Sequence, residues 1–261
     1  MIELLVVIAI IGILAALLLP VLAQVKGKAR NAACLSNLRQ LTICIELYAI
    51  DNDDALPPNN FVYDISTHMP LILGESWCTN IAPYDTNVEG ITLAKLYRYN
   101  EQRDIYRCPG DRSTVETFGG ASLGIPRLRS YNMSQSINGD SSFSFFYADL
   151  PCFRKMAQVM NPGPSQCFAL IEVHEDEITD TEFGIPVSGM APWYEQGYWW
   201  DIPANRHDQG CNFSFLDGHV EHWKWRVPKA PLFPRGYAQW VPPEEMPDYN
   251  RMQSGFRQSK D

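Results

Sequence analysis

The sequence predicts an α+β fold, in which a long N-terminal helix, transmembrane and then amphipathic, packs on a mostly antiparallel β-sheet head with long loops. Two patterns support this prediction. Apolar side chains follow helical spacing through residues 1–50, whereas residues 211–225 alternate as the strands of a hairpin do. An amphipathic helix and a sheet each have an apolar face to bury, so we expect them to pack together.

The first 50 residues are predicted to form one helix with two parts. Residues 4–22 carry no charged side chain, and nineteen helical residues at about 1.5 Å each span roughly 30 Å, the thickness of bilayer hydrocarbon. Only Gly12 and Pro20 interrupt this run. We therefore predict a membrane span over about 4–22 and an amphipathic half over about 24–50. A signal peptide, the alternative, would have a basic start, a shorter apolar run and a small-residue cleavage site.

The head is predicted to begin at residue 51. DNDD at 51–54 and the prolines that follow shortly after end the helical pattern. Residues 51–226 are numerous enough for one globular core. Residues 227–261 are rich in proline and predict an extended tail with little regular structure. The net charge of −9 argues against nucleic acid as a ligand.

A β-hairpin is predicted around Asp217 and Gly218. Phe213 and Phe215 alternate with polar residues before this pair, and the strand pattern resumes at Val220. An Asp-Gly pair between alternating apolar residues is a strong signal for a tight hairpin turn.

His207 precedes Asp217 by ten residues, and two roles are open for it. In the role that we favour, His207 hydrogen-bonds the turn and fixes the loop, and the protein needs no metal or other cofactor. The alternative is a site for zinc or a similar ion, whose ligands would come from His207, Asp217, His219, Glu172 and His222.

Other metal-binding signals are weak. The seven cysteines form no Cys-x-x-Cys pair, which excludes zinc-ribbon and thioredoxin-type spacing. In an oxidising compartment some of them would pair, and their odd number leaves at least one outside any intrachain disulfide. Cys34 and Cys44 are expected to be packing residues of the helix. Residues 172–182 offer enough oxygens for calcium, but a solvated acidic loop is the favoured interpretation.

Aromatic residues within 193–200 are candidates for ligand contact, since stacked tryptophan and tyrosine rings bind sugars and partner proteins. The favoured role is that they cover the sheet. The candidates are Trp193, Tyr194, Trp199 and Trp200. The chain has no P-loop, nucleophile elbow or Gly-x-Gly-x-x-Gly sequence, so we expect a non-enzymatic protein.

The first 40 residues resemble the N-terminal helix of type IV pilins and type II secretion pseudopilins. This resemblance rests on IELLVVIAIIGILAALLLP, the basic stretch after it and CLSNLRQL at 34–41. The rest of the chain, to about residue 226, resembles prepilin-like bacterial proteins with an H-X9-DG domain. The matching pieces are YRCPGD at 106–111, SYNMS at 130–134, NPGP at 161–164 and the motif residues His207, Asp217 and Gly218.

The resemblance implies how the helix is processed and assembled. In that family a prepilin peptidase cleaves after a glycine, the new N-terminal phenylalanine is methylated, and a glutamate four residues later lies in the filament core. Glu3 falls at the position of this glutamate, which pairs with the N-terminal amine of a neighbouring subunit. The leader, the glycine and the phenylalanine are thus expected upstream of Met1. Gly12 and Pro20 fall where related pilins melt locally on packing into a filament.

The function implied by the resemblance is that of a pseudopilin or minor pilin, a non-enzymatic subunit of a type II secretion or type IV pilus-like filament. Its partners would be other pilins, the prepilin peptidase and the bacterial inner membrane, which it would cross once with its head in the periplasm or outside the cell. Lys26, Lys28 and Arg30 alone would place the head in the cytoplasm, but a basic leader would reverse that bias.

Two alternatives remain open at this point. The first is a membrane-anchored periplasmic binding protein that uses a pilin helix for sorting and binds polysaccharide through Trp193, Trp199 and Trp200. The second is an enzyme that uses His207 and Asp217.

Overall fold

The computed structural model describes residues 2–64, 69–72, 74–139, 150–187 and 197–259, and it confirms the α+β class. Helix α1 spans Ile2–Asp51, a single helix of 50 residues. At about 1.5 Å per residue such a helix is roughly 75 Å long, far longer than the head needs for its own core.

The two halves of α1 have opposite surroundings. The most apolar window of the helix is 0% buried, and it is the one segment among the described residues that is long and apolar enough to be a candidate membrane span. Farther along, one stripe of the helix is fully buried, with the side chains of Cys34, Leu38, Leu41 and Ile45 all at 0% exposure. These residues recur at intervals of four, three and four, so they share one face of the helix. The amphipathic half therefore docks on the head, as predicted.

The other described elements are short. The strands are β1 Phe61–Asp64, β2 Met69–Ile72, β3 Thr114–Glu116, β4 Ser122–Pro126, β5 Tyr131–Ser134, β6 Phe168–Glu172, β7 Glu182–Phe183, β8 Tyr198–Trp199, β9 Gly210–Phe215, β10 Val220–Lys224 and β11 Gln239–Trp240. Two further α-helices of the described residues are α2 Glu89–Thr92 and α3 Met246–Gln253. Short 3-10 helices occupy Tyr97–Tyr99, Arg103–Tyr106, Met156–Gln158 and Pro243–Glu245. One left-handed turn occupies Arg206–Gln209.

The main sheet has five strands in the order β10-β9-β6-β5-β7. Its neighbours are antiparallel except for β5 and β7, which run parallel. Smaller two-stranded sheets pair β1 with β2, β3 with β4, and β8 with β11. Helix α1 lies against β9, β10 and β6. The strand most central to the sheet, β6, lies within the apolar run at 167–173, and all five of its residues are buried.

The predicted hairpin is confirmed. Strands β9 and β10 pair in antiparallel register from Val220 opposite Ser214 to Lys224 opposite Gly210. Gly218 has φ +85°, a conformation that glycine adopts without the steric cost of a Cβ atom. Phe213 packs against the ring of Trp223, with ring centroids 4.7 Å apart.

The C-terminal segment is not the extended tail that the sequence predicted. Residues 227–259 include β11 and α3, and their side chains enter the core that covers the sheet face opposite α1. Tyr249, Met252 and Phe256 are buried at 2%, 0% and 0% exposure. The proline content of the segment did not indicate its short helix. The sheet needs this cover because both of its faces are apolar.

We predict that this segment stabilises the head. Phe256 is fully buried, and its ring centroid lies 5.3 Å from that of Phe168. Phe256→Ala should lower the free energy of unfolding by about 3–5 kcal/mol, through lost burial and the cavity left behind. The measurement is urea unfolding of the full chain in detergent, followed by tryptophan fluorescence. The control is Phe118→Ala, since Phe118 is 76% exposed and should cost less than about 1 kcal/mol. An equal loss of unfolding free energy in the two variants would contradict the prediction that the C-terminal segment stabilises the head.

Candidate functional site

Four chemically reactive side chains converge where α1 meets the main sheet. Cys34 comes from α1, Cys108 from the loop before β3, Glu172 from the end of β6 and His207 from the left-handed turn before β9. Their sulfur, oxygen and nitrogen atoms all lie within 4.8 Å of one another. Cys34, Cys108 and Glu172 are 0% exposed, and the His207 side chain is 3% exposed. We call these four residues the Cys-His-Glu cluster.

The left-handed turn positions the imidazole of this cluster. His207, Asp208 and Gln209 have φ values of 57°, 63° and 59°, a conformation that costs roughly 1–2 kcal/mol per non-glycine residue. Gly110 leaves room for the ring, because a Cβ atom at that position would lie 2.8 Å from His207 Cε1. The turn and this glycine together bring the imidazole against the thiol of Cys108.

One nitrogen of His207 faces two partners. His207 Nε2 lies 3.1 Å from Cys108 Sγ and 3.4 Å from Glu172 Oε1. In a nucleophile–histidine–acid relay the two ring nitrogens divide these contacts, one facing the nucleophile and the other the acid. In the cluster, by contrast, the same nitrogen faces both the thiol and the carboxylate. This geometry is closer to that of ligands around one metal ion than to that of a proton relay.

A second layer of hydrogen bonds holds the cluster in place. The hydroxyl of Tyr131 lies 3.2 Å from Cys34 Sγ, and the backbone N–H of Gly110 donates to Cys108 Sγ at 3.2 Å. Arg206 Nη1 donates to Glu172 Oε1 at 2.7 Å. Three of the four side chains are thus oriented by a polar partner outside the cluster.

Arg206 is the main source of positive charge beside the cluster. Besides Glu172, it lies 3.2 Å from Glu175 Oε2 and 3.7 Å from Asp111 Oδ2. Asp111 in turn accepts a hydrogen bond of 2.6 Å from Ser130 Oγ. This network keeps several buried charges paired, which a low-dielectric interior requires.

Burial and charge shift the pKa values of the cluster in different directions. Burial raises the pKa of the Cys108 thiol above its ordinary value. Burial also favours a raised pKa for Glu172, but Arg206 and the contact with His207 outweigh it and lower that pKa to about 2. Burial favours a lowered pKa for His207, yet the contacts with Cys108 and Glu172 raise it to about 9.

The prediction that His207 hydrogen-bonds the hairpin turn is wrong. His207 and Asp217 lie beyond opposite ends of β9, whose six residues extend for roughly 20 Å. The turn is closed instead by His219, whose backbone N–H donates to Asp217 Oδ1 at 3.2 Å and whose Nδ1 lies 2.5 Å from the same oxygen. The ten-residue spacing therefore corresponds to the length of β9 and separates His207 from Asp217.

The alternative ligand set drawn from the sequence is corrected in the same way. Of its five members, only His207 and Glu172 come together in the cluster. Asp217 and His219 are at the turn, and His222 Nδ1 lies 2.9 Å from Asn212 Oδ1. The residues 172–182 are also not a solvated acidic loop, because Glu177 and Asp180 are 5% and 6% exposed.

The aromatic candidates receive a partial correction. Trp199 is 0% exposed and donates from Nε1 to Glu245 Oε2 at 3.0 Å, so it is a core residue and cannot contact a ligand. Trp200 is half-buried. Trp193 and Tyr194 lie outside the described residues. Glu3 lies on the exposed half of α1, as do Gly12 and Pro20, and the helix continues through Pro20 without a break.

Sequence reasoning missed Cys34, Cys108 and Arg206 as site residues. None of the seven cysteines, all of which the structure describes, is in a disulfide. Cys34 and Cys44 are packing residues of α1 as expected, but Cys34 also faces the cluster. A signal was available, because YRCPGD, SYNMS and the apolar run at 167–173 each contribute to this one site together with His207.

A cleft of about 750 Å³ opens beside the cluster, between α1 and the head. Lys28 and Asn31 line it from the helix, whereas Arg112, His207 and His222 line it from the head. The cleft thus gives solvent a route towards the imidazole.

Comparisons of the chain with models of protein families, with curated proteins and with solved structures found no match.

We predict that Arg206 is essential for stability. Arg206→Met leaves Glu172 buried beside no guanidinium, and breaking one side of a buried ion pair costs about 3–5 kcal/mol of unfolding free energy. Lys224→Met is the matched control, because its partner Asp208 is 2.8 Å away but the two side chains are 60% and 86% exposed. Such an exposed pair is screened by water and contributes little to stability, so this control should unfold close to the unmodified chain. Similar urea midpoints for the two variants would refute a structural role for the buried network.

Proposed function

We propose that the chain is a pseudopilin or minor pilin, a non-enzymatic subunit of a type II secretion or type IV pilus-like filament. The observation that supports it best is the division of α1 into an exposed apolar half and a docked amphipathic half. Leu4 and Leu19 are 69% and 66% exposed, and other apolar side chains of this half are similarly open. So large an apolar surface requires cover, which a bilayer supplies before assembly and neighbouring copies of the same helix supply afterwards.

Glu3 would favour the transfer of the apolar half of α1 from the bilayer to the filament. It is the only acidic side chain before residue 46. An unpaired carboxylate in an apolar surrounding is costly, about 2.5–3.5 kcal/mol on insertion scales at a helix centre and less near an end. The positive N-terminal amine of a neighbouring subunit would remove that cost, as the resemblance to pilins implies.

The proposed location is the bacterial inner membrane, with the head in the periplasm or outside the cell and with the prepilin peptidase as the processing enzyme. Lys26, Lys28 and Arg30 are exposed just beyond the apolar half. Alone they favour a cytoplasmic head, so this location requires the basic leader that the resemblance implies. The alternatives lose support from the described residues. Trp199 is buried, which weakens a sugar-binding surface, and His207 and Asp217 lie apart, which weakens a catalytic pair.

The test of this proposal is a filament-assembly assay. The chain is expressed behind a prepilin leader in a bacterium that carries such a machine, and Glu3→Ala is compared with Glu244→Ala, an exposed head residue. We expect both variants in the inner-membrane fraction but at least about a tenfold loss of Glu3→Ala from sheared or cross-linked filaments, equivalent to about 1.4 kcal/mol of lost pairing. Glu244→Ala should assemble normally. Unchanged incorporation of Glu3→Ala would rule out the pairing role.

A further inference from the structure

We propose that Cys34, Cys108, Glu172 and His207 bind one divalent transition-metal ion, with Zn²⁺ as the best match, and that this ion fastens α1 to the head. The inference does not depend on filament assembly, because all four ligands belong to one chain.

The spacing of the donor atoms supports a shared ion. Bond lengths of about 2.0–2.3 Å place the donors of a tetrahedral zinc site roughly 3.3–3.8 Å apart. His207 Nε2 is 3.4 Å from Glu172 Oε1 and 3.1 Å from Cys108 Sγ, close to this range. All four donors lie within 4.8 Å of one another, so no pair exceeds this range by more than about 1 Å.

The chemistry of the donor set selects the class of ion. Thiolate and imidazole ligands favour zinc and other borderline or soft transition metals, whereas calcium and magnesium prefer oxygen ligands alone. Two thiolates and one carboxylate carry one more negative charge than a divalent ion neutralises. Arg206, at 2.7 Å from Glu172 Oε1, supplies the compensating positive charge.

The surroundings also match those of a metal site. Ligands in such sites are oriented by outer hydrogen bonds. Here the Gly110 backbone N–H donates to Cys108 Sγ, the Tyr131 hydroxyl contacts Cys34 Sγ, and Arg206 donates to Glu172. The adjacent cleft, which His207 lines, provides a path by which an ion can enter.

The origin of the ligands explains what the ion would do. Cys34 is the only ligand on α1, and the other three come from a loop, a central strand and a left-handed turn of the head. An ion bound by all four therefore cross-links the helix to three separate parts of the head. Because ligands are brought together only by folding, the free energy of metal binding adds to the stability of this junction.

The first measurement uses the full chain, purified in detergent under reducing conditions without chelator. Elemental analysis should find about one zinc ion per chain. The metal-free protein should then take up Co²⁺ and develop the sulfur-to-cobalt charge-transfer absorption of a thiolate-ligated site. Removing the metal should lower the midpoint of thermal unfolding, and Zn²⁺ but not Mg²⁺ should restore it.

Variants assign the ligands. Cys108→Ala and His207→Ala should each weaken Co²⁺ binding by at least about tenfold, the lower limit typical of losing even an outer-shell partner. Cys167→Ala removes a buried thiol outside the cluster, and His219→Ala removes a histidine at the hairpin turn. Both controls should bind Co²⁺ as the unmodified chain does.

The Co²⁺ spectrum of the wild-type chain tests the metal site even where a variant fails to fold. A reduced, folded wild-type chain that gives no thiolate-to-cobalt absorption would overturn the proposal. So would a Cys34–Cys108 disulfide, found by mass spectrometry in place of bound metal in the chain isolated from its host. Equal loss of metal from the cluster variants and the two controls would be a third contradictory result.

Discussion

The burial of one stripe of α1 on the main sheet is the contact on which the rest of the head depends. Leu38, Leu41 and Ile45 are fully buried there, and each such side chain stabilises the folded state by about 1.5–3 kcal/mol. The stripe closes one apolar face of a sheet whose central strand β6 is buried on both sides. Once α1 occupies that face, the other needs a separate cover. The C-terminal residues supply it, with Phe256 against Phe168, which is why a proline-rich segment folds into the core.

The junction that α1 closes also contains charge. Arg206 and Glu172 are nearly or fully buried, and such ions persist only where partners replace the lost water. Arg206 meets this condition through several carboxylates and the backbone carbonyl of Val173. The left-handed turn that follows Arg206 brings His207 against Cys108 and Glu172. A right-handed continuation after Arg206 would direct His207 elsewhere, so the conformational cost of the turn is offset by contacts that it alone makes available.

The sequence predicted the elements that local pattern determines. The helix and the hairpin each follow from periodicity within one segment, and both are confirmed. The spacing of ten residues between His207 and Asp217 does not bring the two side chains together, because it covers the whole of the extended strand β9. The Cys-His-Glu cluster could not be found by spacing, since its members belong to four segments separated by dozens of residues. A Cys-x-x-Cys pair indicates two ligands within one segment, so its absence does not exclude a site built from several segments.

The Cys-His-Glu cluster lies close to the exposed apolar half of α1. Cys34 lies twelve residues beyond Leu22, or about 18 Å along the helix axis, at the first buried turn of α1. Any force transmitted from a membrane-embedded or filament-packed half reaches the head first at this turn. Apolar packing resists such a force over a broad area but allows sliding, because it has little directional preference. Coordination bonds fix distance and angle, so a cross-link at this turn would set the orientation of the head relative to the helix.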